Sequence, residues 1–164
     1  MTTQRTALSW LWLVAVVLVL DLFTKYQASS LLPYGVAHPQ LPVFDLTLLH
    51  NTGAAFSFLA KAGGWQRWFF AVIAVVVSIV LLVWMARTPR QQRWLGAGLA
   101  LLLGGALGNL YDRVVQGYVI DFISLHYDGY YFPAFNLADT AITIGAAMLI
   151  IDMIWFSDSN NNSS

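Results

Sequence analysis

The sequence predicts an α-helical membrane protein: four transmembrane helices with a small extracytoplasmic β-sheet forming a surface subdomain. Three observations carry this reading. Of the 164 residues, 59% are hydrophobic and only 10% are charged, against roughly 25% charged in a soluble domain. Four stretches, at about 8–28, 68–85, 94–110 and 138–155, approach the ~20 apolar residues that cross a bilayer. All seven tryptophans, Trp10, Trp12, Trp65, Trp68, Trp84, Trp94 and Trp155, fall at or near the ends of those stretches. An amphipathic ring prefers the headgroup layer there. Residues 1–156 read as one membrane-embedded domain, and the polar tail 157–164 as disordered.

Orientation follows from the basic residues. The short loop "ARTPRQQRW" carries Arg87, Arg90 and Arg93, and Arg5 precedes span one. On the other side Lys61, Arg67 and Arg113 are spread over the longer segments 29–67 and 111–137. The positive-inside rule places both termini in the cytoplasm. A cleaved leader is the alternative for span one, because Ala28, Ser29 and Ser30 follow an apolar run. That run is long for a leader, however, and carries Asp21 and Lys25. In span three, Gly96, Ala100, Gly104 and Gly108 recur every four residues, a stripe suited to close helix packing.

Composition also excludes chemistry. The formal net charge of zero argues against nucleic acid as a partner. Every one of the eight acids is aspartate, and there is no cysteine. Thiolate catalysis, disulfides and cysteine-based metal sites are therefore ruled out. His38, His50 and His126 match no metal-ligand spacing, so neither a metal nor any other cofactor is expected.

Both outward segments carry strand signals. In "VFDLTLLHNTGAAFSF", Phe44, Leu46 and Leu48 alternate with Asp45 and Thr47 before a turn at Asn51-Thr52-Gly53. This is a surface strand or a loop with apolar anchors. In "YVIDFISLHYDGYYFPAF", Asp128-Gly129 between β-branched and aromatic residues is a strong hairpin signal. A two-residue loop there pairs Tyr127 with Tyr130, and continuing that ladder sets Asp121 opposite Asn136, with Pro133 interrupting.

Ionisable groups at a membrane boundary are functional candidates, because burying them costs several kcal/mol. Asp139 has two readings. With Asn136 it can form a capping box at the start of span four, complementing the helix dipole. With Asp121 it can form a pair of carboxylates sharing one proton, as in aspartic proteases, where one acid activates water and the other polarises a carbonyl. Asp21 and Lys25, spaced i, i+4, form an ion pair that either pins span one to the surface sheet or takes part in catalysis. Near the end of span three, beside Asn109, Arg113 anchors at the headgroups, pairs with Asp112, or binds an anionic lipid head. Asp152, ~20 Å along the helix from Asp139 at 1.5 Å per residue, belongs to the opposite face.

The blocks "DLFTK" (21–25), "NTGAAFSF" (51–58), "GGALGNLYDR" (104–113), "VIDFI" (119–123) and "FNLADTAITIG" (135–145) together resemble bacterial lipoprotein signal peptidase, the signal peptidase II family of aspartic peptidases. The resemblance spans nearly the whole chain, apart from the termini and the arginine loop. It implies a multi-pass endopeptidase of the bacterial inner membrane, with its active site at the periplasmic face. Such an enzyme removes the signal peptide from diacylglyceryl-modified prolipoproteins, cutting before the lipidated cysteine. Prolipoprotein substrates, membrane lipid and globomycin-type cyclic peptide inhibitors are the partners implied. The family's catalytic aspartates fall on Asp121 and Asp139, and its supporting residues on Asp21, Lys25, Asn51, Gly53, Asn109, Arg113, Asn136 and Ala138. One departure is Leu22, where the family often has Gln.

Three other functions fit parts of the sequence. A proton-coupled carrier would use Asp21, Lys25 and Arg113 as a relay and would hold its acids near the bilayer midplane. A Ser–Lys peptidase would use Lys25 with Ser29, Ser30 or Ser57. A non-enzymatic assembly factor would use the glycine stripe and tolerate loss of both acids.

Overall fold

A computed structural model describes residues 6–53 and 64–155. Arg5, Lys61, Ser57, the second half of the "NTGAAFSF" block and the polar tail lie outside the described residues. Four helices are long and apolar enough to cross a membrane. They are α1 (Leu11–Leu31, preceded by a 3₁₀ turn at Ala7–Trp10), α2 (Trp65–Arg87), α3 (Arg93–Val115) and α4 (Leu137–Trp155). Each is free of internal proline, and local chemistry sets the ends. Leu32 and Thr88 turn extended before Pro33 and Pro89, because a proline ring disfavours helix in the residue before it. Gly117, at φ +89°, closes α3 by returning its N–H to the Asp112 carbonyl at 3.1 Å. The helix therefore runs past the apolar stretch to Val115, and Asp112 and Arg113 are helical instead of lying in the following loop.

Small residues let α3 sit at the centre. Side chains added at Gly96, Gly104 and Gly108 would strike Trp10, Val17 and Asp21 respectively, so the stripe read from the sequence is the seam with α1. A second seam faces α4, where Gly98 meets Leu149 and Gly105 meets the Ala138 backbone. Ala7, Val14, Leu81, Met85, Leu95, Leu99 and Leu103 form the apolar core at one end of the bundle. At that same end Thr6 bridges to Pro89, bringing the N-terminal segment against the arginine-bearing loop. Outward faces stay apolar, as at Val72, Val76, Ile79 and Val80 of α2, which suits lipid as the surrounding solvent.

At the other end sits a four-stranded antiparallel sheet in the order β1 (Ala37–Leu41), β2 (Phe44–Asn51), β3 (Val119–Tyr127) and β4 (Tyr130–Tyr131). Leu48, Ile120 and Phe122 pack it onto Ala28 of α1. The β3–β4 turn has Asp128 and Gly129 both at positive φ, +48° and +81°, the conformation a tight hairpin requires. Tyr127 faces Tyr130 and His126 faces Tyr131, in the expected register. Beyond Pro133 that register fails: pairing resumes as Ile123 with Phe135, one residue out of step. Asp121 is thus not the ladder partner of Asn136. Proline has no N–H to donate, so the ladder breaks there and re-forms in a new frame.

Candidate active site

Four elements, β2, β3, α3 and α4, deliver polar side chains to the junction of sheet and bundle. From β3 comes Asp121, 2% exposed. Its Oδ2 accepts from Asn51 Nδ2 at 3.0 Å and its Oδ1 from Asn136 Nδ2 at 2.8 Å. The first turn of α4 supplies Asp139, whose Oδ1 accepts from Asn109 Nδ2 at 2.7 Å. Asn136 and Asp139 also form a reciprocal cap. The Asp139 N–H donates to Asn136 Oδ1 at 2.8 Å, and the Asn136 N–H donates to Asp139 Oδ2 at 3.3 Å. Both readings of Asp139 therefore meet in one geometry, since the side chain caps its helix while its charge acts on Asp121. Asn136 joins them, with its amide on Asp121 and its carbonyl oxygen on the Asp139 backbone.

Burial pushes the Asp121 carboxyl up from 3.8 to about 6, and the nearby Asp139 charge adds to the rise. The amides of Asn51 and Asn136, and the Lys25 charge, act in the opposite direction. Hydrogen bonds to a carboxylate favour its charged form, but desolvation dominates here.

Behind the pair lies a buried ionic cluster. Lys25, 1% exposed, places Nζ 2.7 Å from Asp21 Oδ2, 2.9 Å from Asp112 Oδ2 and 3.1 Å from Asn109 Oδ1. The ion pair expected between Asp21 and Lys25 is present, and it ties α1 to α3 and α4 and, through Asp112, to Ile120 of the surface sheet. Asp21 Oδ1 accepts the Ala138 N–H at 2.9 Å. Asp112 is engaged by Lys25, not Arg113. Arg113 instead donates to the Asn109 carbonyl at 3.1 Å and lies over the Phe70 ring, within electrostatic reach of Asp139 and Asp121. With every ammonium hydrogen engaged, Lys25 has none to spare for serving as the base of a Ser–Lys pair.

Gly53, at φ +89°, lets its N–H reach Asn51 Oδ1 at 2.9 Å, and this bond orients the Asn51 amide toward Asp121. A side chain at Gly53 would collide with Phe70. Ala138 is fully buried, and a methyl added at Gly108 would lie 3.4 Å from its own. All ten residues singled out from the sequence thus converge on one region. One was missed: Phe70, which touches both the Gly53 turn and Arg113, gave no signal beyond an apolar span. Asp112, read from the sequence as a partner for Arg113, pairs with Lys25. The histidines lie apart: His50 stacks between Tyr34 and Tyr118, and His126 pairs with Asp45 at 3.2 Å.

A four-helix membrane scaffold whose buried carboxylates converge at one end of the bundle belongs to the class of membrane-embedded aspartic peptidases. The family model described as signal peptidase (SPase) II matches residues 13–155, and the chain belongs to that family. It is 50% identical over 161 residues to a lipoprotein signal peptidase of Alteromonas mediterranea, covering 98% of this chain and 88% of the relative. A Pseudomonas putida protein of the same name is 57% identical over 148 residues, covering 89% and 86%. A solved bacterial membrane enzyme determined by the in meso method at 2.3 Å superimposes with a TM-score of 0.80 at 30% identity, over 95% of this chain and 92% of that one.

Proposed function

We propose that Asp121 and Asp139 are the catalytic pair, and that the protein removes signal peptides from diacylglyceryl-modified prolipoproteins by cutting before the lipidated cysteine. The single observation that carries the assignment is Asn136. One side chain holds both aspartates, so the two carboxyls share a fixed frame at the membrane boundary. A pair of acids held this way works with one proton between them.

Burial favours the protonated form of Asp121, which makes it the donor to the scissile carbonyl oxygen. Asp139 lies in the first turn of α4, where the helix dipole complements a carboxylate. It takes a proton from water as the water oxygen bonds to the carbonyl carbon. Collapse of the tetrahedral intermediate breaks the C–N bond, and the leaving amine of the lipidated cysteine takes up a proton from the pair. No residue need be covalently modified.

The setting supports the same reading. The arginine loop and the N-terminal segment lie at the end of the bundle opposite the acids, so the positive-inside rule puts the site at the periplasmic face of a bacterial inner membrane, with both termini cytoplasmic. The scissile bond of a lipid-anchored signal peptide lies at that depth. Beside Asp139 lies a groove of about 280 Å³ lined by Phe135, Thr140, Thr143 and Ile144. Its two hydroxyls are already bonded to the carbonyls of Asn136 and Asp139, so it presents an apolar wall to an entering peptide. Globomycin-type cyclic peptides would compete for this place. A proton-coupled carrier fits less well, because these acids gather at one interface.

The test is cleavage of a diacylglyceryl-modified prolipoprotein by detergent-purified wild type, Asp121→Asn and Asp139→Asn, each first shown to be folded and to bind substrate. Both variants should lose turnover while retaining binding. Near wild-type cleavage by either one ends the aspartyl mechanism.

A further inference from the structure

The lone ammonium of Lys25 sits between two carboxylates that do the same job on different segments. Asp21 Oδ1 accepts the N–H of Ala138 at 2.9 Å, and Asp112 Oδ2 accepts the N–H of Ile120 at 3.1 Å. Ala138 directly precedes Asp139, and Ile120 directly precedes Asp121. Each carboxylate therefore holds, by its N–H, the residue directly before one member of the pair.

The need for the second hold arises from the shape of the sheet. β4 ends at Tyr131, and the returning chain bonds to β3 at Leu125 through Phe132 and at Phe122 and Ile123 through Phe135. Among the described residues, no strand pairs with Ile120 on that edge. A buried backbone donor and acceptor would be left open there, at a cost comparable to a lost hydrogen bond each. Two side chains take the place of the missing strand. Asp112 accepts from the Ile120 N–H, and Asn136 Nδ2 donates to the Ile120 carbonyl at 3.2 Å. Asp112 is itself held, because the Oδ2 that binds Ile120 also meets Lys25 Nζ at 2.9 Å. The side chain is 1% exposed and does not line the groove beside Asp139.

We propose that Asp112 is a positioning residue for Asp121, the counterpart on β3 of what Asp21 is for Asp139 on α4, with Lys25 coupling the two. This rests on the reading of Asp121 and Asp139 as the catalytic pair. Displacing a reacting group by ~1 Å costs on the order of 100-fold in rate, so the effect of losing the hold falls on kcat.

The experiment compares wild type, Asp112→Ala, Asp112→Asn, Asp21→Ala and Asp121→Asn in detergent. Cleavage kinetics of a diacylglyceryl-modified prolipoprotein are measured across pH, with hydrogen–deuterium exchange of segments 119–122 and 138–140. Asp112→Ala should lower kcat about 100-fold with KM little changed, and should move the alkaline limb of the profile, which the Asp121 acid sets, to lower pH as Asp121 leaves its buried place. It should speed exchange in 119–122 and leave 138–140 protected, while Asp21→Ala does the reverse. Asp112→Asn keeps an oxygen for Ile120 and Lys25, so it should recover kcat to within about tenfold of wild type.

Asp112→Ala at wild-type kcat overturns the proposal. So does exchange that quickens across both segments alike, or an Asn variant as impaired as the Ala one. Should Asp112→Ala not fold, Asp112→Glu carries the test. It keeps the charge for Lys25 but lengthens the arm, so reduced kcat with intact substrate binding upholds the assignment and full kcat overturns it. Failure of the underlying catalytic reading shows separately, as cleavage by Asp121→Asn.

Discussion

Replacing Asp121 by Asn should abolish turnover and yet make the protein harder to unfold above pH 6. The native state raises this carboxyl from 3.8 to about 6, so the folded protein binds the proton more tightly than the unfolded chain. That contribution to stability is complete below pH 3.8 and is lost as pH rises through about 6. The rise of about 2 units, at 1.36 kcal/mol per unit, makes the ionised Asp121 cost about 3 kcal/mol at neutral pH. An asparagine has no charge to bury and avoids that cost. It does lose something, because Asn51 and Asn136 both donate to Asp121 and an amide has a single acceptor oxygen. One unmade hydrogen bond offsets about 1 kcal/mol. The net gain is about 2 kcal/mol, or about 4–8 °C in Tm for a chain of this size. Intrinsic tryptophan fluorescence during heating in detergent, from pH 4 to 8, measures it. The two melting temperatures should converge or cross below pH 4 and separate between 4 and 6, with Asp121→Asn the higher. A variant that melts no higher than wild type at pH 7, or by a margin that ignores pH, refutes the argument that burial of this carboxylate is a strain on the fold.

Other perturbations separate the roles of neighbouring groups. Asn136→Asp keeps a good helix cap but turns the donor facing Asp121 into an acceptor. It should fold with a wild-type circular dichroism spectrum and cleave at least 10-fold more slowly, the loss expected for a hydrogen bond to a charged group. Asn136→Ala removes the cap as well and should melt earlier, by about 1–3 kcal/mol in denaturant titration. Lys25→Met strands two buried carboxylates and should destabilise the protein by about 3–5 kcal/mol, seen as aggregation or a large Tm loss in the same scan. Gly108→Ala pushes a methyl into Asp21 and Ala138. It should cost about 1–3 kcal/mol and lower cleavage more than Gly98→Ala does, because Gly98 faces Leu149, far from the acids.

The helices were legible because hydrophobic length and tryptophan position report directly on a bilayer. The ends were less so. Apolar content falls off after Leu110, but helix α3 continues to Val115 because Asp112 finds a buried cation and Gly117 supplies the stop. Neither partner is visible from composition. The Asp128-Gly129 turn and the first pairs of its hairpin could be read from local chemistry. The frame beyond Pro133 could not, since it is set by Phe135 bonding to Phe122 and Ile123 after the break. Even so, Asp121 meets Asn136 through its side chain, a contact that the assumed ladder placed correctly for the wrong backbone reason. The ionic cluster divides the same way. An i, i+4 spacing announces Asp21 with Lys25, but the bonds from Asp21 to Ala138 and from Asp112 to Ile120 join segments that only tertiary packing brings together.

The reciprocal cap between Asn136 and Asp139 has a consequence for biosynthesis. α4 follows the other three helices in the chain, and its first turn carries Asp139 together with the asparagine that grips Asp121. A nascent chain with three helices already inserted holds only one acid of the pair and none of the frame. Under the proposed chemistry such a chain has no means of hydrolysing a peptide bond, so the machinery that inserts it never handles a half-built protease that can cut.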